Sequence, residues 1–173
     1  DRRIQQHRNV IDAARSAGVQ KIVYTSIRGQ EAGTGFSAVV QSNRQTEADV
    51  KGSGLQWVIG RNGIYIEPDV EYIETYKKRG EIANCAGAGG CGYTTRTQLA
   101  KRLNAAFGTE LAYRPMSVDE FRADRVAELG PFIGGVIAGI YEGIRIGAFD
   151  GLSDYETAAA RPHQTWEDYF DAL

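Results

Sequence analysis

The chain has 173 residues, of which 20 are basic and 22 acidic, giving a net charge of -2 at pH 7. Such a length suits one domain that buries roughly 70% of its unfolded surface. The balanced charge, with no basic block of five or more, argues against nucleic acid and anionic membrane as partners, and no apolar run reaches the roughly 18 residues of a membrane span.

In chain order, residues 3–17 carry Ile4, Val10, Ile11, Ala14 and Ala17 on one helical face. Gly18 stands where a left-handed residue closes such a helix. Residues 21–26 then form a short apolar run with β-branched Ile22 and Val23, so helix, glycine and strand read as the return half of a βαβ crossover. Glycines at 29, 33 and 35 predict an exposed loop. A helix over 39–51 follows, charged on one side and ended by Gly52, and a second strand runs from Leu55 to Gly60. Both strands read as buried, each ending in polar residues able to hold a ligand.

Pro68 opens a helix running to Lys78, with Asp69 and Glu71 at its positive end and Lys77, Lys78 and Arg79 at its negative end. Asp69, Glu71 and Glu74 read as a solvated acidic face. The run from Gly87 to Gly92 loosely matches G-x-G-x-x-G, but a phosphate cradle needs a strand before it and a helix N-terminus directly after. Tyr93 and Thr94 follow instead, so a tight hairpin is the preferred reading. Beyond Thr97 the pattern is a helix over 98–107, a short strand over 111–114, and a capping box at Ser117 and Glu120. A glycine-spaced apolar helix from Phe132 to Ile146 and a capped amphipathic helix after Thr165 complete the chain.

The cysteine count is 2. Cys85 and Cys91 fit neither a CxxC redox pair nor a zinc half-site, so reduced thiols in the cytoplasm are the reading, with a disulfide as the alternative. His7 reads as a helix-surface or packing residue and His163 as a turn residue. No metal-ligand spacing and no Ser/His/Asp order stand out. Thr25 and Ser26 either end their strand with local hydrogen bonds or line a site. Tyr24 reads as core, Tyr65 as pocket lining, and Arg61 as an oxyanion stabiliser or the partner of Glu67.

Residues 6–14, 17–19, 22–26, 46–47 and 61–67 together resemble the NmrA-like atypical short-chain dehydrogenases, nearest their quinone oxidoreductase and triphenylmethane reductase branch. The resemblance implies an α/β fold. Its first part is a Rossmann-like parallel sheet over 1–96, incomplete at its first strands, and its second is a smaller, mainly helical substrate portion over 97–173. It implies NADPH or NADH as cofactor, a quinone or similar conjugated acceptor, a cytoplasmic location and a homodimer. Thr25, Ser26, Asn43, Asn62, Gly63, Ile64, Tyr65, Ile66 and Glu67 are the implied cofactor contacts, with Tyr65 and Asn62 as catalytic residues. Asn43 stands where relatives often carry Lys or His, and Pro68 where they often carry Asn. The glycine-rich phosphate loop is expected before Asp1, and a discontinuity is expected at Arg96 and Thr97. The second implied function is a dinucleotide-sensing protein without turnover, and the third an inactive fragment.

Overall fold

The computed structural model describes residues 2–173. Helix α1 (Arg2–Ser16) ends at Gly18, whose φ of 70° is the left-handed conformation that its sequence position called for. Strand β1 (Lys21–Ile27), helix α2 (Ser37–Lys51) and strand β2 (Gln56–Asn62) then form one βαβ unit. The strands pair in parallel from Lys21 opposite Gln56 to Ile27 opposite Asn62. Alternation along β1 puts Tyr24 and Ser26 on one face, where α2 covers them. Val23 lies on the other face, 70% exposed, and Val58, opposite it on β2, is 48% exposed. The expectation of two buried strands is therefore corrected: one face of this sheet is packed and the other is exposed. On α1, likewise, Ile11 is buried but Val10 is 62% exposed.

The predicted helix after Pro68 is two helices. Helix α3 (Glu67–Glu71) carries the proline in its first turn, and α4 (Ile73–Arg79) ends at left-handed Gly80. The break falls at Tyr72, whose hydroxyl donates to Glu128 and whose ring sits edge-on to Tyr76. Strand β3 (Glu81–Asn84) leads into a hairpin of β4 (Gly90–Cys91) and β5 (Thr94–Thr95), antiparallel as the glycine run predicted. The chain passes directly into α5 (Arg96–Phe107), and the Thr95 hydroxyl caps it by accepting from the Gln98 N–H. Strand β6 (Ala112–Pro115) pairs in parallel with β3. A core of Ile73, Tyr76, Ile82, Leu99, Leu103 and Leu111 fills the space between these elements.

Helix α6 (Val118–Arg145) starts with half of the expected capping box: Ser117 accepts from the Glu120 N–H, while the Glu120 carboxylate turns to Arg114. It is interrupted at Gly130 (φ 80°, ψ 165°): Pro131 has no N–H to offer and disfavours helical backbone at the residue before it, and Gly130 takes a positive φ open to glycine. The second arm folds back so closely that a Cβ at Gly134 would stand 2.4 Å from the Arg125 carbonyl oxygen. One at Gly139 would stand 2.2 Å from the Phe36 nitrogen, so this arm also holds the 29–36 loop backbone to backbone. Two short helices, α7 (Tyr155–Ala159) and α8 (Trp166–Asp171), close the chain, and Thr165 caps the latter as predicted. No helix among the described residues is long and apolar enough to cross a membrane.

Candidate functional site

Because β1 and β2 are parallel and in register, their C-terminal ends lie side by side. Ser26 stands opposite Arg61 and Ile27 opposite Asn62. Ligands of open α/β sheets bind at this kind of edge. Helix α2 backs it. Asn43 and Glu47, one turn apart on that helix, meet Tyr24 and Ser26: the Tyr24 hydroxyl donates to Asn43 Oδ1 at 2.7 Å and the Ser26 hydroxyl to Glu47 Oε1 at 2.6 Å.

Glu47 is the hub. Its side chain is 3% exposed, and Arg61 engages both carboxylate oxygens, Nε at 2.9 Å and Nη2 at 2.5 Å. Arg44 adds a third charged contact at 2.8 Å and also donates to the Ile27 carbonyl at 2.9 Å. Burial alone would raise the Glu47 carboxyl, but hydrogen bonds from Arg61 and Ser26, with the charges of Arg44 and Arg61, outweigh it and hold the group at about 2. The Glu67 alternative for Arg61 is thereby corrected. Neighbouring α1 is tied to α2 through Arg3 to Asn43, His7 to Thr46 and Arg8 to Asp49. Burial and the Arg3 charge lower the His7 imidazole.

The candidate residues divide into an enclosed set and an open one. Ser26 and Asn43 are enclosed, at 0% and 1% exposure. The Ser26 hydroxyl is committed to Glu47, and the Asn43 amide accepts from Tyr24 and Arg3 and donates to the Val39 carbonyl. In this structure the polar atoms of both side chains are bonded to partners on α1, α2 and β1. Thr25, Gly63 and Tyr65 are open. Tyr65 is 57% exposed, and its phenol accepts from the Asn62 amide. A Cβ at Gly63 would meet nothing within 4 Å. Ile64 turns inward onto the cluster of Phe36 and Val40. Ile66 precedes α3 as its cap residue, and Glu67 begins that helix in solvent.

Sequence reasoning assigned no role to Glu47 or Arg44. Their i, i+3 spacing on α2 was a usable signal, but the burial that makes the pair matter is tertiary. Asp69 was misread. It is 4% exposed, bonded to Arg96 at 2.6 Å and to the Tyr76 hydroxyl at 3.0 Å, with the Tyr93 hydroxyl also donating to it. Burial disfavours the charge on Arg96, and Asp69 restores it. The same burial raises the Tyr76, Tyr93 and Tyr141 phenols well above their usual range. Both cysteines are free and buried, and burial pushes the Cys85 thiol up to about 11.

No protein-family model matches the chain. Quinone oxidoreductase 2 of Escherichia coli is 35% identical over 98 residues, which is 57% of this chain and 34% of that protein. An NmrA-like family domain-containing oxidoreductase of Aspergillus flavus is 33% identical over 97 residues, 56% of this chain and 31% of that protein. The chain is similar to the NmrA-like oxidoreductases. The matched segment spans about a third of either relative's length. The crystal structure of the E. coli NADPH-dependent quinone oxidoreductase complexed with NADPH superposes with a TM-score of 0.84 at 24% identity, over 97% of this chain and 70% of that one. That of the Citrobacter sp. triphenylmethane reductase complexed with NADP(H) gives 0.81 at 24%, over 98% and 71%. The likeness in fold thus extends over nearly the whole chain, and the fold is the Rossmann-like α/β arrangement.

Proposed function

We propose that this chain carries the nicotinamide and acceptor side of an NAD(P)H-dependent oxidoreductase that reduces a quinone or a similar conjugated acceptor. The observation that carries the reading is the edge where two parallel strands end side by side, a shelf with exposed Thr25 near the end of β1 and Asn62 at the end of β2, bonded to exposed Tyr65. Likeness to a quinone oxidoreductase and an NmrA-like oxidoreductase supports it. So do the NADPH and NADP(H) held by two structural neighbours.

The residues present fit the nicotinamide end of such a cofactor. The shelf has open space beside Gly63, an exposed hydroxyl on Thr25, and an amide and a phenol already bonded to each other. Thr25, Asn62 and the backbone over 63–66 would hold the ribose and carboxamide. A bound nicotinamide supplies hydride to the acceptor. Tyr65 would then hold the proton that an acceptor oxygen takes up, with Asn62 fixing the phenol's direction, and solvent would replace it. Ser26 and Asn43 support the shelf from behind. In this reading residues 1–96 form the cofactor side and 97–173 the substrate side. Free thiols favour the cytoplasm, and the bare valines of β1 and β2 favour a homodimer, which light scattering tests.

The test is quinone-dependent NADPH oxidation with menadione, followed by the loss of NADPH absorbance. The reading expects saturable turnover, and Tyr65→Phe should lower kcat by about 10- to 100-fold while NADPH affinity stays within about threefold. NADPH binding without any turnover would favour the dinucleotide-sensing alternative, and neither binding nor turnover would leave an inactive fragment.

A further inference from the structure

Three elements meet on one carboxylate. Glu47 receives Ser26 from the end of β1, Arg61 from the end of β2, and Arg44 from its own helix, and Arg44 continues to the last carbonyl of β1. The residue after Arg61 is Asn62, whose amide orients the Tyr65 phenol. The Arg61 side chain is 47% exposed, and its hydrogen bonds go to Glu47. The two-pronged carboxylate contact is what fixes its direction, as such fork geometry does for arginine generally.

We infer that Glu47 is a positioning residue of the site, setting the relative placement of the two strand ends and, through Arg61, the direction of the Asn62 and Tyr65 pair. The inference rests on the proposed oxidoreductase reading for its consequence in turnover, though not for its structural content. Glu47 does not reach the shelf itself. It acts by clamping what stands behind it. Glutamine keeps the shape but offers one acceptor where Arg61 needs two, and its amide N–H₂ would face a guanidinium. Aspartate keeps the charge at a shorter reach.

The experiment uses the full chain with Glu47→Gln and Glu47→Asp, and Ser26→Ala as a milder cut that leaves the Glu47 charge in place. Hydrogen exchange without cofactor is read on the backbone amides of 24–28 and 59–63, with α5 and β6 as internal references. Glu47→Gln should speed exchange there by about tenfold, Glu47→Asp and Ser26→Ala by less, and the references should not move. In turnover with menadione, Glu47→Gln should lower kcat by about tenfold with KM for NADPH within about twofold. Exchange unchanged at the strand ends, or changed equally throughout the protein, overturns the inference. If Glu47→Gln fails to fold, Ser26→Ala decides by the same criterion. Local exchange effects in a chain whose unsubstituted form shows no turnover would uphold Glu47 as the clamp and remove the oxidoreductase reading.

Discussion

The sharpest contrast between pattern and packing lies in single acidic side chains. Asp69 sits in a sequence that reads as a solvated helix face, yet its partner Arg96 lies 27 residues away, beyond the reach of any local pattern. Replacing Asp69 with Asn leaves a guanidinium 1% exposed without its counter-charge. Breaking such a pair costs about 3–5 kcal/mol, so Asp69→Asn should shift the urea midpoint far down or prevent cooperative unfolding altogether. Glu47 makes a prediction about acid. Its folded value of about 2 lies below the ordinary 4.5, so its contribution is fully present above about pH 5 and is lost as pH falls towards 2. The contribution is on the order of 2 kcal/mol after allowing for Arg61 half in solvent. Stability against urea should therefore fall between those pH values in the parent chain and fall less steeply in Glu47→Gln. The place of Thr25 and Asn62 near the ends of β1 and β2 was legible because strand ends announce themselves in sequence. That Ser26 and Asn43 point inward was not, since alternation assigns a residue to a face without saying which face is covered.

At the level of elements, punctuation carried most of the information. Gly18 and Gly80 close helices in the left-handed conformation, Thr165 caps α8, and Gly130 with Pro131 separates the two arms of α6, all at positions the residue types mark. The break at Tyr72 has no such mark. One helix was expected there and two form, with the Tyr72 hydroxyl bonded to Glu128 at the junction. Within α6 the glycines differ in what surrounds them. At Gly139 a methyl group would collide with backbone at 2.2 Å, whereas at Gly135 it would meet nothing within 4 Å. Overpacking costs about 1–3 kcal/mol, against at most about 1 kcal/mol gained from helix propensity. Gly139→Ala should thus lower Tm, and Gly135→Ala should leave it unchanged or raise it slightly. Equal effects at both positions would contradict the close approach to Phe36.

For the molecule as a whole, the parallel βαβ unit was readable because helix, glycine and strand recur in the order a crossover requires. The bare face of its sheet was not readable, since a run such as Ile22 and Val23 looks the same whether one side or both are covered. Val23 and Val58 share that face. Converting both to Thr should change stability by no more than about 0.5 kcal/mol, as surface substitutions do, while reducing self-association measured by light scattering. A large loss of Tm would mean that the face is packed in solution. The contact of Gly139 with Phe36 has a mechanical consequence. Where two backbones touch with no side chain between them, no rotamer is available to take up slack. Any tilt of the second arm of α6 is transmitted undamped to the loop beside the strand ends, and the two move as one lever.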